Sequence, residues 1–187
     1  MPSAYQQVEY LESANESNVS GNYGLIYIDT GVDYFADFEI DSHKPNGNSA
    51  VFCGAKADYY LSRSSSSAPY FNFKNGTAYW LTTVPVSTRT KWRWQNNQIY
   101  KDDVYAVPLN KSAVSGDFIL YGGYVDGYKY SNIRIYSFKA WNSSGVLIRD
   151  MRPCYRKTDN VKGFYDLVTG VFLTGTGTGY FIAGDDI

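Results

Sequence analysis

Short apolar runs, rather than the repeats of amphipathic helices, organise this chain. A helix would need apolar residues at i, i+3, i+4 and i+7 over about 11 positions, and no stretch keeps that spacing. Residues 38–43 alternate between apolar and polar positions, residues 118–121 are continuously apolar, and turn residues separate such runs every ~8–12 positions. The pattern predicts an all-β fold whose short strands form a sandwich or a barrel.

Turn residues between these runs predict a series of β-hairpins. Asn-Gly is the strongest short hairpin signal, and Asn and Asp side chains also tolerate the positive φ of tight turns. The predicted turns are Asn75-Gly76, Asn96-Asn97, Asp102-Asp103, residues 142–145 and Thr169-Gly170.

The segment from residue 130 to 141 changes its alternation part-way. Apolar positions up to Ile135 occupy one strand face, whereas Tyr136 and Phe138 occupy the other. A β-bulge near Ile135 would explain the change, and so would burial on both faces. Elsewhere, Trp92 and Trp94 share one strand face and are expected in the core.

Composition predicts one soluble domain over residues 1–187, because the chain is 44% hydrophobic and 19% charged. The formal net charge of -1 disfavours nucleic-acid binding, which requires a basic excess, and disfavours recruitment to membranes by basic residues. No apolar run approaches ~18 residues, so no membrane insertion is expected. Residues 1–6 lack the features of a signal peptide.

The two cysteines, Cys53 and Cys154, are far apart and lack the spacing of a zinc site. Both lie in apolar, strand-like stretches, so we expect buried free thiols, with a bridge between two strands as the alternative. No metal site or cofactor is predicted. A calcium ion near Asp117 or Asp126 is conceivable, but the sequence has no Asp-rich loop of the binding type.

Both ends of the chain resemble a known family. Residues 5–13 and 27–31 are similar to the opening of concanavalin A-like (laminin-G-like) jelly-roll domains of phage virion proteins and gut-bacterial surface proteins. Similarity to the closing segment of these domains covers residues 132–141, 147–150, 153–157, 163–166 and 177–179. The resemblance implies two antiparallel sheets packed as a β-sandwich. It also implies sugar binding on the concave face or on the rim loops.

An enzymatic hypothesis rests on Glu39 and Asp41. Jelly-roll laminarinase-type enzymes place three acidic residues at alternate positions of one strand, and glycoside hydrolysis needs two carboxyl groups around the scissile bond. Here the third position is His43, or Lys44 in the bulged form of the motif. We therefore predict no catalytic residue, and solvated polar residues on a strand face explain the same pattern.

The binding hypothesis rests on a Gly- and Tyr-rich loop. Tyrosine rings supply flat apolar faces for a sugar, and Asp and Asn supply directional hydrogen bonds. A second candidate surrounds Tyr59 and Tyr60, near Tyr70 and Trp80, although the last two could simply pair across their hairpin. The alternative for the loop is a structural role at the edge of the sandwich. The predicted loop residues are Tyr124, Asp126, Tyr128, Tyr130 and Asn132.

These observations predict a non-catalytic module that binds carbohydrate or another cell-surface ligand. The expected setting is the virion or the extracellular surface, as part of a phage tail fibre, head fibre or decoration protein that mediates host adhesion. The expected partners are a host-surface glycan and neighbouring virion subunits. The alternatives are a purely structural virion protein and a laminarinase-type glycoside hydrolase.

Overall fold

A computed structural model describes the greater part of the chain. All regular structure in the described residues is β-strand, and no helix occurs among them. The described residues are 1–14, 25–26, 33–40, 50–55, 59–63, 70–75, 77–83, 88–95, 98–108, 118–120, 133–142, 144–175 and 180–187. The strands are β1 Tyr5–Gln7, β2 Leu11–Ala14, β3 Leu25–Ile26, β4 Asp33–Ile40, β5 Ala50–Ala55, β6 Tyr59–Arg63, β7 Tyr70–Asn75, β8 Thr77–Thr83, β9 Thr88–Gln95, β10 Gln98–Lys101, β11 Val104–Pro108, β12 Phe118–Leu120, β13 Ile133–Trp141, β14 Leu147–Arg156, β15 Lys162–Asp166, β16 Phe172–Thr174 and β17 Tyr180–Ala183.

The strands form two antiparallel sheets, as the alternation of the sequence predicted. The larger sheet has the order β11-β10-β9-β4-β13-β14-β15-β16 and also includes β1, β2 and β17. The smaller sheet has the order β3-β12-β5-β6-β7-β8. This confirms the all-β prediction with two antiparallel sheets, an arrangement consistent with a β-sandwich.

The predicted hairpins form where their turn residues indicated. Strands β7 and β8 pair on either side of Gly76, and β9 and β10 pair on either side of residues 96–97. Asp102 and Asp103 connect β10 to β11 with φ values of 49° and 65°. Positive φ at both central residues defines the type I′ turn, whose twist matches that of the flanking strands.

The predicted β-bulge is confirmed in β13. Its register with β4 shifts between Ile135 and Ser137, so Tyr136 has no directly opposite residue on β4. An extra residue in one strand changes the face that the following side chains occupy. Ile135 and Tyr136 are therefore both buried although they are adjacent in sequence, with 1% and 8% of their surfaces exposed.

The N-terminal segment fills the space between two strands that diverge. β14 pairs with β13 through Met151 and with β1 from Cys154 onward. Pro153 lies at this change of partner, where its missing N–H costs no ladder hydrogen bond. Its carbonyl oxygen accepts a hydrogen bond of 3.0 Å from the backbone N–H of Val8.

The C-terminal segment pairs with the other side of the N-terminal segment. β17 pairs with β2 from Tyr180 opposite Ala14 to Ala183 opposite Leu11. The pairing continues through Val8 opposite Asp186. The first and last segments of the chain are thus neighbours in the larger sheet.

The described core lies along one face of the larger sheet and includes Leu11, Trp92 and Phe138, each at most 1% exposed. Burial of Trp92 confirms its predicted place in the core. The register puts Tyr70 opposite Thr83 and Trp80 opposite Asn72, so Tyr70 and Trp80 are not directly opposite each other in their hairpin. The face of the larger sheet opposite this core is called the outer face below.

Candidate functional site

Most of the residues predicted for the sugar site lie outside the described part of the chain. This holds for the Gly- and Tyr-rich loop, which remains a prediction. Tyr59 and Tyr60 lie in β6, opposite Asn75 and Lys74 of β7. The site predicted around these two tyrosines remains a prediction. The loop residues concerned are Tyr124, Asp126, Tyr128, Tyr130 and Asn132.

The acidic strand behind the enzymatic hypothesis is described only as far as Ile40. Glu39 lies in β4, directly opposite Arg134 of β13 on one side and Arg89 of β9 on the other. Asp41 and His43 lie outside the described residues.

A row of alternating charge crosses four strands of the larger sheet. In register order it consists of Glu12 on β2, Arg134 on β13, Glu39 on β4 and Arg89 on β9. Directly opposite residues share a face of a sheet. The next row holds buried Leu11, Ile135 and Thr90, so the charged row belongs to the outer face.

The β-bulge adds a tyrosine to this row. The guanidinium carbon of Arg89 lies 3.8 Å from the centre of the Tyr136 ring. The Tyr136 ring meets the Tyr10 ring edge-on, with 5.4 Å between ring centres, and Arg134 lies 4.7 Å from the centre of the Tyr10 ring. With Glu12, these residues form the arginine–tyrosine stack. Two arginines flank a pair of rings in this stack, a favourable arrangement because a ring face is negative.

The two arginines of the arginine–tyrosine stack differ in their surroundings. Arg134 Nε donates a 2.7 Å hydrogen bond to Glu12 Oε2, and the Glu12 side chain is only 14% exposed. Arg89, at the other end, is exposed. Tyr10 packs on the backbone of Gly184, where an added Cβ would lie 2.7 Å from its ring. The stack therefore has one end at which Glu12 fixes Arg134 and another end at which Arg89 is exposed.

A second group of outer-face residues follows β9 toward its hairpin. Arg93 lies 4.7 Å from the centre of the Tyr100 ring, and Arg93 Nη1 lies 3.4 Å from Asp103 Oδ1. Tyr105 contacts Tyr100 edge-on at 6.2 Å between ring centres and is 51% exposed. We call Arg93, Tyr100, Asp103 and Tyr105 the hairpin cluster.

No family model matches this chain, and no curated protein or solved structure matches it either. The site is therefore assessed by its own chemistry. Within the described ranges, no three or more His, Cys, Asp or Glu side chains are grouped so that they could hold a metal ion. The same residues include no helix long and apolar enough to cross a membrane.

A third outer-face cluster, at the far end of the sheet, is built differently. The Tyr5 ring lies 4.8 Å from Tyr165 and 5.0 Å from Phe172, centre to centre. These three rings, called the aromatic lid, lie above Gly163, where an added Cβ would be 2.9 Å from the Phe172 ring. Cys154, opposite Gly163 in the register, is a free and fully buried cysteine.

Burial governs the chemistry of this thiol. Removal from water raises the pKa of Cys154 to about 11, against a smaller lowering by a backbone hydrogen bond at Tyr165. Because the thiolate is the reactive form of cysteine, Cys154 is an inert core residue. The free, buried state expected for this residue is confirmed; Cys53 lies in β5 of the other sheet, opposite Leu120.

Sequence reasoning missed the arginine–tyrosine stack, although one local signal was present. Residues 88–94 place Arg89, Lys91 and Arg93 at alternate positions, between Thr90 and Trp92. That alternation alone predicts a cationic strand face. Tyr10 and Arg134 carry no such signal, because 124 residues separate them and their contact depends on the register of β2 with β13.

Proposed function

We propose that this chain is a non-catalytic module that binds carbohydrate or another cell-surface ligand, with its two sheets arranged as a concanavalin A-like jelly roll. The proposed setting is a phage particle, in which a tail fibre, head fibre or decoration protein uses the module for adhesion to the host. Its partners would be a host-surface glycan and neighbouring virion subunits.

The observation that carries this proposal is the arginine–tyrosine stack on the outer face. Sugar sites combine an apolar platform for C–H groups with a few fixed polar groups for hydroxyls. Tyr10 supplies a partly exposed ring, Arg89 supplies an exposed guanidinium that rests on the buried Tyr136 ring, and Glu12 supplies a carboxylate fixed by Arg134. The β-bulge that positions Tyr136 supports a functional role, because bulges often redirect side chains beside binding and active sites.

The non-catalytic part of the proposal is supported by the acidic strand. A glycosidase needs a second carboxyl group as general acid, and the third motif position here is His43 or Lys44. Glu39, the first motif residue, is placed by the register between two arginines. That position suits a member of an ion-pair row.

Display on a particle would compensate for a shallow site. A dissociation constant of ~1 mM corresponds to about -4 kcal/mol, which is too weak for stable attachment by one copy. Linking several sites can raise the overall affinity by roughly 10²–10⁴ without any new contact.

The test is a glycan-array screen with the purified protein displayed in many copies. A Tyr124→Ala, Tyr128→Ala variant is screened beside it, because the loop is the predicted rim site. Selective binding by the natural sequence supports the proposal, and loss in the variant assigns the site to the loop. Selective binding that persists in the variant supports the outer face instead. A folded protein that binds no glycan would overturn the proposal.

One observation favours a second candidate, a structural virion protein. Four apolar residues at the same end of the larger sheet are 44–57% exposed. They belong to the β13–β14 and β15–β16 turns, and exposed apolar groups of this kind can form subunit contacts. This candidate predicts that the four become buried in the assembled particle, which hydrogen exchange of particle and isolated chain would measure. The residues are Val146, Leu167, Val168 and Val171.

A further inference from the structure

One strand of the larger sheet presents three cations on the same side. Arg89, Lys91 and Arg93 alternate along β9, and the residues between them, Thr90 and Trp92, are each 1% exposed. Alternate strand residues share a face and are about 6.6 Å apart. The three cationic side chains therefore form a line of roughly 13 Å on the outer face, called the cation strip.

An aromatic ring supports each end of the cation strip. Arg89 lies over Tyr136 at 3.8 Å and Arg93 beside Tyr100 at 4.7 Å, measured from guanidinium carbon to ring centre. A guanidinium held against a ring keeps its plane fixed while its N–H edge can still meet a planar anion. The contact therefore reduces the ordering cost of binding a carboxylate or sulfate group.

Carboxyl residues lie next to the cation strip. In the register, Glu39 is opposite Arg89 and Asp37 is opposite Lys91, and the whole chain carries a net charge of -1. A nucleic acid, with a dense row of phosphates, requires a clear basic excess that this surface lacks. A ligand with widely spaced anionic groups and many hydroxyl donors fits the mixed surface better.

From these observations we infer that the cation strip binds an acidic glycan, a polysaccharide that carries carboxylate or sulfate groups. Arg89 and Arg93 donate to the anionic groups, Lys91 supplies a third positive charge, and the Tyr100 and Tyr136 rings support the two guanidinium groups. This inference rests on the proposed carbohydrate binding and specifies its ligand class and its place on the outer face.

The experiment compares acidic glycans with chemically matched neutral versions. The array carries each acidic glycan beside its carboxyl-reduced or desulfated form, and also neutral glycans. The proteins are the natural sequence, an Arg89→Gln, Arg93→Gln variant, and an Arg156→Gln, Lys157→Gln control. The control removes the same charge from the last residue of β14 and the residue after it, away from the cation strip.

We expect binding to acidic glycans only, weakened about tenfold or more by Arg89→Gln, Arg93→Gln, because this variant loses charge-assisted hydrogen bonds to the anionic groups. The control should bind as the natural sequence does. Lys91→Glu is the second variant, because this exposed side chain can be reversed in charge without loss of core packing. It should also weaken binding, and unfolding curves verify that each variant is folded.

The possible failures are distinguishable. If the protein binds neutral glycans equally well, or if folded strip variants bind acidic glycans as tightly as the control does, the cation strip is not the site and the inference is wrong. The proposed carbohydrate binding would survive that result. If the natural sequence binds no glycan of either kind, both the inference and the proposed function fail.

Discussion

Two of the three clusters on the outer face of the larger sheet combine aromatic rings with a neighbouring arginine, yet their surroundings differ. In the aromatic lid the Phe172 ring packs on Gly163, and the neighbouring Arg156 is engaged by Asp159 through hydrogen bonds of 2.5–3.1 Å. The arginine–tyrosine stack leaves Arg89 exposed over Tyr136. Tyrosine and arginine together are therefore not a binding signal by themselves.

The difference comes from what lies beneath the rings. Beside the aromatic lid, Gly163 has no side chain, so the Phe172 ring packs directly on the backbone. In the arginine–tyrosine stack a β-bulge supplies an additional tyrosine, whose ring holds a guanidinium at the surface. The first arrangement stabilises the fold, and we propose that the second prepares donors for a ligand. The predictions below test this division.

The largest expected effect is on the aromatic lid. In Gly163→Ala the new Cβ would lie 2.3 Å from the backbone oxygen of Leu173 and 2.9 Å from the Phe172 ring. A backbone atom cannot move aside as a side chain can, so we expect a loss of about 3 kcal/mol in the free energy of unfolding, measured with urea. Glycan binding by the folded fraction should not change.

Gly145→Ala is the matched control for this change. No atom lies within 4 Å of its added Cβ, and its only penalty arises from a φ of +76°, which should cost about 1 kcal/mol. Equal losses in the two variants would show that the rings of the aromatic lid do not pack on Gly163 as described.

The second prediction concerns the buried thiol of Cys154. Its pKa is raised from 9.0 to about 11, so the unfolded chain ionises first and stability falls as the pH rises from 9 toward 11. Two pKa units correspond to about 2–3 kcal/mol at the upper limit. Cys154→Ala should lack this part of the pH dependence, whereas ionisation of tyrosines is common to both proteins. Identical slopes of unfolding free energy against pH would contradict the buried thiol.

Local chemistry explains how much of this fold the sequence could predict. The Asp102-Asp103 turn and the bulge at Tyr136 were predictable, because the first depends on residues that tolerate positive φ and the second on a change of alternation within one strand. The strand boundaries were less predictable. Strand β4 begins at Asp33, ahead of the alternating run at 38–43 that predicted a strand here.

Long-range register set the limit of sequence prediction. The N-terminal segment lies between β13 and β14. Its Glu12 accepts a hydrogen bond from Arg134, which lies 122 residues further along the chain. No local pattern encodes such a pairing, because each strand could satisfy its hydrogen bonds with several partners. The arginine–tyrosine stack was missed for that reason. The loop containing Tyr124 and Tyr128 was chosen by composition alone and remains a prediction.

A smaller effect is expected when the arginine–tyrosine stack loses its exposed cation. An exposed cation–π contact contributes about 0.5–1 kcal/mol, so Arg89→Gln should lower the free energy of unfolding by no more than about 1 kcal/mol. Thermal or urea unfolding measures this. A loss as large as that of Gly163→Ala would mean that Arg89 is mainly structural and that the two clusters do not differ in role.

The smallest effect is electrostatic and lies beside the aromatic lid. The hydrogen bonds from Arg156 hold the pKa of Asp159 below its ordinary value of 3.8. Because a depressed pKa favours the folded state only above the unfolded pKa, this contribution is lost as the pH falls through the folded value. Titration of the Asp159 carboxyl carbon by NMR should show the lowered pKa, and Arg156→Gln should bring it back toward 3.8. An Asp159 pKa that stays lowered in Arg156→Gln would show that Arg156 is not engaged there. The contrast between a neutralised arginine at the lid and an exposed one at the stack would then no longer hold.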